Sequence, residues 1–160
     1  MKYIDFQRLV SPYTNSSQIQ QMNNFIAHGQ TTVFEHSYLV ARLSYKICTI
    51  LPIRVDIHSV VAGAMLHDFY LYDWHKVDPK HKWHGKVHGY TAYQNASQYF
   101  IINNKTKNII ESHMWPKNFK EKPRSTEAII VSVSDKIQAS IEAIYRRKLS
   151  LEKQSKKPFY

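Results

Sequence analysis

The chain has 160 residues, 22 of them Lys or Arg and 12 Asp or Glu, for a formal net charge of +10. That is the length of one ordinary domain, able to bury about two-thirds of its unfolded surface. With 43% hydrophobic and 21% charged residues, the disordered, collagen-like and low-complexity classes are excluded. The basic balance suits an anionic partner, although surface lysines that merely solvate the protein give the same balance.

The N-terminal MKYIDFQRLV carries an acid early and no apolar run of signal length, and no stretch has the roughly eighteen apolar residues of a membrane span. Cys48 is the sole cysteine, so neither an internal disulfide nor a thiolate zinc cluster can form. A cytoplasmic protein with no membrane partner is the expectation. Only four glycines and six prolines punctuate the chain, which suits helices better than a sandwich or barrel needing a turn every ten residues or so.

Leu39, Val40, Leu43, Ile47 and Ile50 recur at helical spacing and predict a helix over Phe34–Leu51, stopped by Pro52, with His36 on its first turn. Val55–Leu66 is apolar on more than one face, as in a central buried helix, and ends in His67 and Asp68. From Phe69 to Lys86 aromatic, histidine and lysine residues surround Pro79 and Gly85, which reads as a loop. Its rings, Tyr70, Tyr72, Trp74 and Trp83, suit packing against the helices or stacking on a base or sugar.

Helical periodicity resumes over His88–Phe100 and Lys105–His113, and Trp115 and Pro116 end it. A long helix is predicted from Ser125 to about Lys148, with Ile130, Val133, Ile137, Ile141 and Ile144 on one stripe and Asp135 at mid-helix. Arg146–Tyr160 holds six basic residues against one acid and reads as a solvated or frayed basic tail. With no internal repeat or linker, one all-α domain of six or seven helices is expected over 1–160, with its core at about 25–148 and its tail at 149–160.

Six residues carry the chemistry: His36, His67, Asp68, His88, His113 and Asp135. Imidazole and carboxylate suit divalent ions such as Zn, Mn or Fe(II). Each lies near a predicted helix end or, for Asp135, inside an apolar helix where an uncompensated charge costs several kcal/mol. His28, His58, His75 and His81 stand in polar or turn contexts and read as surface histidines.

A lone His, an His-Asp pair about thirty residues on, and a distant Asp in a C-terminal helix resembles the HD-domain metal-dependent phosphohydrolases. His36, His67, Asp68 and Asp135 take those places. The strings AGAMLHDFYLYDWHK, HGKVHGYTAYQNA, IIESHMWP and VSVSDK extend the likeness from about Phe34 to Glu142, toward the small bacterial single-domain branch. In two-metal subfamilies two more histidines lie between the pair and the last Asp, where this chain has His88 and His113. The resemblance therefore implies a dinuclear site bridged by Asp68; one ion, with His88 or His113 holding the phosphate, is the alternative. The lysine that follows the pair in the HDIG variant is replaced here by Phe69, Tyr70 and Leu71, and the acid pair of alarmone hydrolases is missing.

The implied activity is hydrolysis of a phosphate ester, of a nucleotide or other small phosphorylated metabolite, by a metal-activated water. One or two ions of Mn, Fe, Zn, Ni or Co are the expected cofactor, with the choice of mono- or diester open. Asp68, Asp73 and Lys136 are the catalytic candidates, and Arg42, Lys136 and Trp74 the substrate-binding ones. The competing function is a non-catalytic metal-containing sensor that binds a nucleotide or nucleic acid; nucleic acid is the less favoured partner.

Overall fold

The structure, a computed structural model, describes residues 4–76 and 83–155, with side chains described through residue 148. Seven helices among the described residues make it all-α: α1 (Phe6–Thr14), α2 (Ser17–Gln20), α3 (Val33–Ile50), α4 (Ile57–Leu66), α5 (His84–Ser97), α6 (Asn104–Ser112) and α7 (Thr126–Ser155). A short hairpin, β1 (Ile26–His28) and β2 (Thr31–Thr32), leads into α3. No described helix is long and apolar enough to cross a membrane.

α4 is the central helix, in contact with α1, α3, α5, α6 and α7. Every residue from Ser59 to Leu66 is buried, as the apolar character on several of its faces leads one to expect. Asp56 caps it, its side chain accepting from the Ser59 N–H at 3.2 Å. α3 opens with a capping box: Thr32 Oγ1 accepts from the Glu35 N–H (3.1 Å) and Glu35 Oε2 from the Thr32 N–H (2.9 Å). This fixes the first turn, where His36 sits. α1 adds Phe6, Leu9 and Val10 to the core.

Two glycines bring α6 into place. A Cβ on Gly63 of α4 would lie 2.4 Å from Ile109 Cγ2, and one on Gly89 of α5 would lie 2.9 Å from the Ile110 carbonyl oxygen. A methyl at either position would force α6 outward. Their bare backbones let it lie against both neighbours, which carries His113 at its end up to His67 and His88.

Three sequence expectations change. The supposed loop Phe69–Lys86 begins with buried Phe69 and Tyr70 and yields to α5 at His84, and its residues 77–82, with His81, lie outside the described residues. The C-terminal helix does not fray at Arg146 but continues through Ser155. The predicted stripe of α7 faces outward: only Ile130 is buried, whereas Val133, Ile137, Ile141 and Ile144 are exposed. The inward face is Ala128, Val131, Ser134, Asp135, Gln138 and Glu142. Small and polar residues win that face because it lies close to other helices, and because Asp135 and Glu142 find His36 as a partner and Gln138 finds Glu142.

Candidate metal centre

Four helices deliver four buried histidines to one point. His36 comes from the first turn of α3, His67 from the C-terminal end of α4, His88 from α5 and His113 from the end of α6. Three are oriented by their own backbone: Nδ1 lies 2.7 Å from Ala64 O in His67, 2.8 Å from His84 O in His88 and 2.7 Å from Ile110 O in His113. A carbonyl only accepts, so each Nδ1 carries a proton, and in the neutral ring each Nε2 turns a lone pair inward.

The carboxylates divide the cluster in two. Asp68 Oδ2 is 3.5 Å from His67 Nε2, while Oδ1 is 3.3 Å from His88 Nε2 and 3.5 Å from His113 Nε2. Asp135 Oδ1 lies 3.1 Å from His36 Nε2 and 3.7 Å from His67 Nε2. One lobe is thus His36, His67 and Asp135, the other His88 and His113, with Asp68 between them. Glu142 stands behind the first lobe, both oxygens 3.1 Å from His36 Nδ1, and accepts from Gln138 Nε2 at 2.9 Å.

The electrostatics of the lobes differ. Burial alone would lower the His36 pKa, but Asp135 and Glu142 raise it to about 10. His67 is likewise raised by Asp68 and Asp135 against its burial. His113 is pushed down to about 3 by burial and by the neighbouring His88 and His67. Burial opposes ionisation of Asp68, yet His67, His88 and His113 hold it well below the usual carboxylate range. In the second lobe the two Nε2 atoms are 2.8 Å apart, two acceptors facing one another. His67 Nε2 and Asp68 Oδ1 are buried without a hydrogen-bond partner. Such orphaned acceptors cost about 1–3 kcal/mol each, and a divalent cation is the species that satisfies all of them together. The donor set fits one: His36, His67 and Asp68 bring ligand atoms within 4.8 Å of one another, as do Asp68, His88 and His113.

A cavity of about 650 Å³ opens on this cluster, lined by Asp68, His88, His113 and Asp135 and by Tyr70, Trp74, Met114, Phe119, Lys117 and Lys136. Trp74 lies there half-buried and parallel to His84, 5.2 Å between ring centroids. Lys136 also borders the cavity, but its Nζ donates to His113 O (2.8 Å), Ser132 O (3.1 Å) and Ser132 Oγ (2.9 Å). Three donors meet three acceptors, so this lysine braces the end of α6. Burial lowers its pKa.

Arg42 is not brought to the site. It is exposed and outside the cavity lining, because six residues beyond His36 a helix has turned about 240° away. Asp73 is absent from the lining as well: it accepts from the His75 N–H (3.1 Å) and pairs with Lys76 (3.5 Å) in a local turn. Three residues escaped the sequence reading. Glu142 had a signal, two turns after Asp135 on the same face of one helix. His28 on β1 had none; it lines the cavity with its ring edge-on to His36 at 5.3 Å. Lys117 stood in a polar run with no periodicity to aim it.

A family model for the HD domain matches residues 33–140. Neither the search of curated proteins nor that of solved structures finds a match. The match spans more than half of the chain and takes in His36, His67, Asp68, His88, His113 and Asp135, so the chain belongs to the HD-domain family, whose members bind divalent metals and are mostly metal-dependent hydrolases.

Proposed function

We propose that this HD-domain chain is a phosphohydrolase that cleaves a phosphate ester of a small metabolite, a nucleotide being the best fit, at a dinuclear centre. His36, His67 and Asp135 would hold one ion and His88 and His113 the other, with Asp68 as the carboxylate available to both. The observation that carries the reading is the posture of Asp68: its two oxygens face different histidine sets, and Oδ1 has no hydrogen-bond partner. Bound divalent ions supply a water acidified to near neutral pH and charge to offset that growing on the phosphoryl oxygens.

The chain's own groups do the rest. The Nδ1 protons donated to Ala64, His84 and Ile110 lock three imidazoles before any ligand arrives, so no reorganisation is needed at the moment of reaction. Glu142 holds the fourth ring in the outer-shell role that typically tunes metal affinity 10–100-fold. Lys117 offers the cavity a cation for phosphate oxygens, and Trp74, Tyr70 and Phe119 offer rings to a base or sugar. At about 650 Å³ the cavity is of small-ligand size. Folded nucleic acid is the poorer match.

The test is a panel of phosphate mono- and diesters assayed with Mn, Fe(II), Co, Ni and Zn on wild type and Asp68→Ala. Turnover that needs metal and vanishes in the variant is expected. Full activity in the variant, or metal-dependent nucleotide binding without turnover on any ester, would sink the enzyme reading, and the second result would leave a sensor.

A further inference from the structure

We propose that the outer face of α7 is a two-fold interface on which a second copy of this chain packs, helix against antiparallel helix. Ile129 (54% exposed), Val133 (45%), Ile137 (42%), Ile141 (52%), Ile144 (69%) and Tyr145 (63%) follow one another along this face. The first four are spaced by four, so they form one continuous i±4 ridge, and no charge interrupts it. Ridges of this kind interdigitate with their own image in the commonest helix-packing class.

Three observations select a second copy as the occupant. The ridge maps onto itself when reversed about Ile137: Val133 then meets Ile141 of the other copy, and Ile129 meets Tyr145. A two-fold contact demands this self-complementarity. Beside the Tyr145 end lies a groove of about 560 Å³ lined by Leu39, Ile141, Tyr145 and Glu35, so each copy brings a groove for the other's ridge. The area also suffices. Six large side chains, each baring on the order of 100 Å², give about 600 Å² per copy, and the pair about 1,200 Å², the lower bound of stable interfaces.

An apolar contact between two chains that each carry a net charge of +10 should tighten as salt screens their repulsion.

Sedimentation equilibrium on the full chain is the test, run across the micromolar range at low and high salt. A dimer that strengthens with salt is expected, and Ile137→Glu, which sets two like charges together on the axis, should weaken it at least about 100-fold with the circular dichroism spectrum unchanged. Ile137→Cys should cross-link to itself on oxidation, since native Cys48 is buried. Ile129→Cys should cross-link only when mixed with Tyr145→Cys. A wild-type monomer throughout would overturn the proposal, as would association that weakens with salt or a dimer that neither Ile137 variant reports. None of these readings depends on the chemistry of the metal centre.

Discussion

The two lobes of the histidine cluster share Asp68 but are built on opposite electrostatic plans. In the first, His36 is clasped between Asp135 and Glu142, and its pKa is held at about 10. In the second, two imidazoles face each other at 2.8 Å with a single shared carboxylate oxygen, and His113 is driven to about 3. His36 attracts a proton and His113 expels one. A cation bound by His36 would have to displace a proton and one bound by His113 would not, so on the two-ion proposal the lobes should differ in the pH dependence of filling more than in ligand type.

The largest expected effect removes the comparison altogether. Asp68→Ala takes the common carboxylate from both lobes, and elemental analysis should find the metal content collapsed, with activity lost by well over the 10–100-fold typical of outer-shell changes. Next, His88→Ala and His113→Ala should each cost about one equivalent of metal and leave the first lobe filled. Unchanged metal content in both variants would defeat the two-ion reading. Glu142→Ala touches only the first lobe and should weaken its metal affinity about 10–100-fold, measured by competition with a chromophoric chelator, while the second lobe keeps its ion.

A smaller effect is on pH. In metal-free protein the raised His36 pKa contributes stability that is fully present below its unfolded value of about 6.5 and is lost as pH rises through about 10. The depressed His113 pKa contributes stability present above about 6.5 and lost as pH falls toward about 3. Thermal midpoints of the chelated protein should thus peak between those limits and fall on both sides, and a monotonic profile would mean that the lobes are not opposed. Smallest of all, Arg42→Ala and Asp73→Ala lie outside the cavity and should leave kcat/KM within about twofold, under 0.5 kcal/mol of transition-state binding.

Much of this was legible in the chain. The helices α3 to α6 begin and end within a few residues of where spacing, Pro52 and the Trp115–Pro116 pair put them, because apolar period and breakers act locally, whereas α7 begins where expected and runs on past Lys148 to Ser155, where no breaker stands. His67 and Asp68 stood out for the same reason, as ligand-type residues closing an apolar helix. What failed was orientation. Spacing finds a stripe on α7 but not whether it faces in or out, and here the polar face is the buried one, since Asp135, Gln138 and Glu142 are satisfied by each other and His36. Arg42 was placed by distance along the chain when angle around the helix decides. His28 reaches the cavity through a hairpin whose geometry no periodicity encodes.

The stack beside the cavity has an optical consequence. Trp74 lies parallel to His84, and His84 in turn stacks on His88 with centroids 4.4 Å apart, so an indole is coupled through one ring to an imidazole of the second lobe. A divalent ion held by His88 would place positive charge at the far end of that stack. The emission of Trp74, isolated by replacing Trp83 and Trp115 with Phe, becomes a label-free gauge of what occupies that lobe, readable in a stopped-flow cell before any substrate is known.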